Sequence, residues 1–117
     1  MWLAARQMKK LTREAAQAID SSDPVISPMV LLELEYLYEI RRLARPSLVI
    51  LDQLQTQIGL KVSDHPFPAI AHAALFETWT REPFDRIIVA QARSDGFSGL
   101  ISADAHIQRN YSKTIWD

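Results

Sequence analysis

The chain contains no cysteine. That excludes disulfide bridges, thiolate metal sites and a cysteine nucleophile, and it is compatible with a reducing cytosol. It has only three glycines, too few for a loop that cradles phosphate through closely approaching backbone N–H groups. No serine sits in a Gly-x-Ser-x-Gly frame, so nothing marks a nucleophile elbow. Long apolar runs are missing as well. The longest aliphatic stretches, 48–51 and 87–90, are four residues each, whereas a membrane helix needs about 20. The opening from Met1 to Arg6 lacks the apolar length of a signal peptide. The expectation is a soluble, cytoplasmic protein with no membrane partner. An excess of one charge is lacking too: 13 basic and 14 acidic residues leave a net charge of −1. Bulk charge therefore does not announce a nucleic-acid binder, and any such role must come from local patches.

What is present suits one folded domain. The 117 residues are 48% hydrophobic and 23% charged, an ordinary globular composition. A chain of this size buries roughly two thirds of the surface its unfolded form exposes, enough for a core without staples.

Met1 to Ala5 reads as the tail of a helix already under way, because no cap residue precedes Trp2. A basic linker with Arg6, Lys9 and Lys10 follows. Thr12 is a candidate N-cap for a short helix through Ile19, and the turn chemistry of Asp20-Ser21-Ser22-Asp23-Pro24 leads into a short buried strand, Val25-Ile26. Ser27-Pro28 starts a helix, with a hydroxyl cap and then proline at the first helical position; it is expected to run to about Ala44. Pro46 opens another through about Ile58, which Gly59 stops. Leu60-Lys61-Val62 alternates as a strand does. A helix starts within Asp64 to Pro66 and runs to about Trp79, and another runs from Pro83 until Gly96 ends it. Gly99-Leu100-Ile101-Ser102 is strand-like, Ala105 to Asn110 a short helix, and Thr114-Ile115-Trp116 a terminal strand. Helices alternating with short strands favour an α/β parallel sheet covered on both faces.

The informative residues are acids on apolar faces. Glu35, Glu39 and Arg42 fall at i, i+4 and i+7 and make a solvated stripe. Glu33 is not part of it: its helical neighbours are Met29, Val30, Tyr36 and Leu37. An unpaired buried carboxylate costs several kcal/mol, so Glu33 either reaches water, pairs with an arginine or meets a metal. Asp85 has Ile88, Val89 and Ala92 as its helical neighbours, and it also sits in a first turn, where the helix dipole favours a carboxylate. Asp104 follows a strand and precedes a short helix. There it is either an N-cap or a group at the carboxyl end of a sheet, where ligands of open α/β folds bind. Carboxylates that converge need a cation to stay ionised. Oxygen-only ligands suit magnesium or manganese, and such ions serve phosphodiester hydrolysis by activating water and stabilising charge. His65, His72 and His106 lack a shared ligand spacing. The basic clusters Arg6, Lys9, Lys10, Arg13 and Arg41, Arg42, Arg45 are either solvated faces or contacts to an RNA backbone.

These residues have a family likeness. Glu82-Pro83-Phe84-Asp85-Arg86-Ile87-Ile88-Val89-Ala90, approached through Trp79 and Arg81, resembles the PIN-domain signature in which aspartate, proline, phenylalanine, aspartate and arginine open a helix. Ser102-Ala103-Asp104 resembles the family's Thr/Ser-x-Asp after a late strand, and Val25-Ile26-Ser27 followed by Leu31-Leu32-Glu33 resembles its strand-to-helix segment ending in the catalytic glutamate. Ile115-Trp116 fits the closing strand. The resemblance covers the chain from about Trp2 to the end. It implies a PIN-like three-layer domain, with a short central parallel sheet flanked by helices, like that of the VapC-like toxin ribonucleases of toxin–antitoxin systems. It further implies Mg²⁺-dependent (or Mn²⁺-dependent) cleavage of RNA, a cognate antitoxin partner and a homodimer. Glu33, Asp85 and Asp104 would hold the metal directly or through water, Arg86 would organise these acids, and Ser102 would be a supporting donor. In the family, a mid-sheet strand ending in a ligand aspartate lies just ahead of the segment matching Met1-Trp2-Leu3-Ala4. Neither is present in this sequence, since Glu14 and Asp20 fall too late. The expectation is therefore a single PIN-like domain over 1–117 that is N-terminally incomplete. A non-catalytic remnant acting as an antitoxin-binding or oligomerising module is the alternative.

Overall fold

The computed structural model of this chain describes Trp2, Leu3, Gln17 and residues 23–116. Among these are five strands: β1 (Trp2–Leu3), β2 (Val25–Ile26), β3 (Lys61–Val62), β4 (Leu100–Ile101) and β5 (Thr114–Ile115). The helices are α1 (Pro28–Glu39), α2 (Ser47–Ile58), α3 (Phe67–Ala74), α4 (Pro83–Ser94) and α5 (Ala105–Asn110). All strand pairings are parallel, in the order β3-β2-β1-β4-β5. α1 and α2 connect β2 to β3, whereas α3 and α4 carry the chain back across the sheet from β3 to β4. Because such crossovers are right-handed, connections that run in opposite senses along a sheet lie on opposite faces. The three-layer α/β arrangement expected from the alternation of elements follows.

The N-terminus corrects the reading made from sequence. Trp2–Leu3 is not a helix tail. It is the central strand, with Trp2 in register with Val25 on one side and Leu100 on the other, and Leu3 opposite Ile101. The middle of the sheet is thus filled from within this chain. The physical reason is the slot itself: β2 and β4 would otherwise present unpaired backbone groups to the core, and two consecutive large apolar residues suit a strand covered on both faces. Trp2 and Leu3 are 1% and 2% exposed, and they pack with Ile26, Leu100 and Ile101 into one core. The Trp2 indole N–H reaches Asp95 Oδ2 at 3.1 Å, just beyond α4. The helix expected from Thr12 to Ile19 lies outside the described residues except for Gln17, which is helical and exposed.

Local chemistry sets most helix starts as expected. The Ser27 side chain accepts from the Met29 N–H and Pro28 opens α1. Gly59 stops α2 at φ +68°, a left-handed conformation that glycine adopts without a Cβ clash. α1 ends earlier than its apolar periodicity suggests, at Glu39 rather than near Ala44. Arg41 turns the chain at φ +64°, and the Leu37 carbonyl accepts from both Arg42 and Leu43 N–H. The reversal packs Leu43 against the core. Glu35 is half-buried rather than part of a solvated stripe. Its Oε1 accepts from the Ser47 N–H at 3.0 Å. Pro46 offers no side-chain cap, so Glu35 supplies one from the neighbouring helix. α3 is likewise short, ending at Ala74 instead of Trp79.

If Trp2 fills the middle of the sheet, Trp2→Ala should cost about 3–5 kcal/mol, as deletion of a large buried aromatic does. Urea unfolding of the two chains measures it. A loss under about 1 kcal/mol, the size of a surface change, would remove Trp2 from the core.

Candidate functional site

The carboxyl ends of the strands share one edge of the sheet, and the strand order switches direction between β1 and β4, where ligands of open α/β folds bind. Beyond β4, Ser102 is fully buried. Its Oγ accepts from the Asp104 N–H at 3.1 Å, and its carbonyl accepts from Gln108 Nε2 at 3.1 Å. Asp104 is exposed, and its Oδ1 accepts from His106 N–H at 2.8 Å and Ile107 N–H at 3.1 Å, capping α5. The cap read from sequence is present, and it engages one of the two carboxylate oxygens.

α4 leads into β4, and a helix that feeds a parallel strand ends at the amino edge of the sheet, so its first turn lies toward the carboxyl edge. Glu82 is the N-cap, a role the sequence reading did not give it: Oε2 accepts from the Asp85 N–H at 2.8 Å. Thr80 braces this turn twice, its Oγ1 accepting from the Glu82 N–H at 3.1 Å and its carbonyl from Arg86 Nε at 2.8 Å. Asp85 is half-buried in the first turn. Just upstream, the Trp79 ring meets His106 edge-on, with centroids 5.0 Å apart. That contact sets the approach to Asp85 against the helix that Asp104 caps. Glu33, on α1, is half-buried beside the buried Val30, Leu34 and Leu37, and α1 packs against α4. Neither Glu33 nor Asp85 is without a partner.

Glu33 thus lies on α1, Asp85 on α4 and Asp104 at the start of α5, and of these helices α1 and α4 pack against each other. Among the described residues, however, no three His, Asp or Glu side chains gather into a group able to hold a metal ion. By donor type the three acids fit a hard divalent cation, but their side chains are not drawn together as a cluster. Ala4 and Ala5 follow β1 in sequence, with no acid there; Glu14 and Asp20 lie outside the described residues, as do Arg6, Lys9, Lys10 and Arg13.

A second polar network carries no signal in the sequence. Glu77, only 5% exposed, accepts from Arg93 Nε at 2.7 Å and from the Trp79 indole at 2.7 Å. Arg93 also lies over the rings of Phe97 and Tyr111, 5.5 and 5.0 Å from their centroids. Glu77 sits in irregular backbone after α3, where periodicity says nothing about burial. With Ala73, Phe76 and Ala90, the pair lines a groove of about 510 Å³. Of the histidines, His65 is half-buried beside the Trp2 ring at 5.9 Å, with Nδ1 buried and unpaired, and exposed His72 meets Phe76 edge-on.

The profile of the PIN domain matches residues 1–113 of this chain. The chain belongs to the PIN domain family, whose members are in general metal-dependent nucleases. No curated protein matches the chain. No described helix is long and apolar enough to cross a membrane.

Tyr111 gives the network a pH signature. Burial pushes its phenol above 10.0, opposed by Arg93 and assisted by Glu77 and Asp95. The native state then holds this proton more tightly than the unfolded chain, so the stabilisation is complete below pH 10 and is lost as the pH rises through the native value. Alkaline unfolding should therefore begin to steepen near pH 10. Tyr111→Phe should flatten that limb in denaturant titrations, and an identical pH slope in both chains would contradict the assignment.

Proposed function

We propose that this chain is a metal-dependent endoribonuclease and the toxin component of a toxin–antitoxin pair, acting in the cytoplasm. The observation that carries the reading is the PIN match over residues 1–113, together with carboxylates on α1, on the first turn of α4 and at the α5 cap. In this reading Glu33, Asp85 and Asp104 hold Mg²⁺, or Mn²⁺ in its place. The ion supplies a Lewis acid and an activated water for phosphodiester hydrolysis. The protein's own part is to hold the acids. Ser102 Oγ, buried under the β4–α5 turn, fixes the backbone of Asp104. Arg86, tied to the Thr80 carbonyl, keeps a positive charge beside Asp85. Glu82 holds the first turn of α4 in place. The partners proposed with this function are an RNA substrate, a cognate antitoxin and a second copy of the chain.

A non-catalytic module that binds an antitoxin or oligomerises is the second reading. Two observations favour it: the ungathered acids among the described residues, and the sequence after the central strand β1, which continues with Ala4 and Ala5 and not with an acid.

Variants separate the two. Asp104→Asn keeps a capping oxygen, so its metal-free stability should stay within about 0.5 kcal/mol of the parent, whereas Asp104→Ala should lose about 1 kcal/mol with the cap. As an enzyme, the parent should cleave single-stranded RNA with Mg²⁺ and not with a chelator. Asp104→Asn, Asp85→Asn and Glu33→Gln should each lower the rate at least about 100-fold, equivalent to losing a few kcal/mol of charge stabilisation. Cleavage unaffected by all three substitutions would exclude these acids, and no metal-dependent cleavage by the parent would leave the binding module.

A further inference from the structure

The function proposed above makes no use of the corner where α1 turns into α2. There the chain reverses through Ile40 and Arg41, and Arg41 adopts φ +64°. A left-handed conformation is unfavourable for a residue with a Cβ, and outliers of this kind point to a role for the segment they shape. The reversal is held by Arg41 N–H to the Tyr38 carbonyl at 2.9 Å and Arg42 N–H to the Leu37 carbonyl at 2.8 Å. Its effect is to turn Arg41, Arg42 and Arg45 all to solvent. Among the described residues no carboxylate holds any of the three guanidiniums. Tyr36 and Tyr38 precede them on the last turn of α1, 51% and 38% exposed. Residues 36–45 carry three arginines against one glutamate, a local +2 in a chain of net −1. Tyr38, Arg41, Arg42 and Leu43 line a cleft of about 640 Å³, with Glu39 and Ala44 completing its wall.

Unpaired guanidiniums and exposed aromatic rings are the two components of single-strand binding. Arginine holds backbone phosphates, and tyrosine offers a face on which an unstacked base sits. An anionic membrane or an acidic protein would need the arginines but not the rings, and duplex RNA hides its base faces. The corner also connects to the candidate site. Glu33 and Tyr36 fall at i and i+3 on one face of α1, and the end of α1 at Glu39 is about 9 Å of helix rise beyond Glu33.

We propose that Tyr36, Tyr38, Arg41, Arg42 and Arg45 form a track for single-stranded RNA, which runs along α1 and delivers the strand to Glu33. The proposal rests on the ribonuclease reading for its ligand, but its binding step needs no metal and is measured without one.

The test is fluorescence anisotropy of a labelled, unstructured RNA oligonucleotide with the full chain in EDTA. Replacing Arg41, Arg42 and Arg45 together by glutamate should weaken binding at least tenfold. It should also lower the slope of log affinity against log salt by about 2, the share of three phosphates on a single strand. The triple lysine variant should keep most of the slope. Tyr36→Ala with Tyr38→Ala should weaken binding at least about tenfold, the scale of one lost base stack, with the salt slope unchanged. Binding that ignores the arginines overturns the track. Binding that needs the arginines but not the tyrosines also overturns it, and identifies a general polyanion surface such as one for an acidic protein or a membrane. Equal affinity for a duplex of the same length counts against it in the same way. Failure of the ribonuclease reading shows separately, as absence of Mg²⁺-dependent cleavage by the parent chain.

Discussion

Trp2 pairs with Val25 on one side and Leu100 on the other, and the geometry of the molecule depends on that double pairing. Each strand is two residues long, so the sheet has few backbone hydrogen bonds with which to set its register. Burial does the rest. Trp2, Leu3, Ile26, Leu100 and Ile101 are each 2% exposed or less, and burying a side chain of this kind contributes roughly 1.5–3 kcal/mol. Because β1 lies at the point where the strand order reverses, the same two residues separate the Ser27 turn from the Ser102 turn. The spacing of the elements that bear Glu33 and Asp104 is thereby a consequence of core packing.

From that core outward, the candidate site is organised by helix starts. Ser27 begins α1, Glu82 begins α4 and Asp104 begins α5, each through a side-chain oxygen that accepts backbone N–H. Such caps satisfy donors that would otherwise lack partners, and they fix the starts of the helices that bear Glu33 and Asp85 and follow Asp104. Thr80 and the Trp79–His106 contact tie two of these starts together. Asp104 illustrates why a structural and a chemical role need not compete: the cap engages Oδ1, and a carboxylate has a second oxygen.

Much of this was legible in the sequence because caps and stops are local chemistry. Ser27-Pro28, Gly59, Pro83 and Asp104 carry their signals within a few residues, and the helix starts and the stop that they mark lie where expected. What the sequence concealed was decided by distant partners. Trp2–Leu3 is a strand because of the slot between β2 and β4, and nothing in its own neighbours says so. Glu35 caps a helix that begins twelve residues later, and Glu77 meets Arg93 across sixteen. The end of α1 was missed because apolar periodicity continues past Ile40 while the backbone does not, Arg41 having turned left-handed. At the site, the types of acid and their elements were readable. Their mutual placement depends on side-chain packing over the whole sheet edge, which no local pattern encodes.

In the proposed ribonuclease, Glu33, Asp85 and Asp104 serve one divalent ion. Paramagnetic broadening by Mn²⁺ tests it most directly, followed in amide spectra of the isotopically labelled chain. Broadening centred together on Glu33, Asp85 and Asp104, and reversed by competing Mg²⁺, is the predicted result. Broadening that leaves these three positions sharp, or that is scattered over exposed carboxylates such as Glu39 and Asp52, would contradict it.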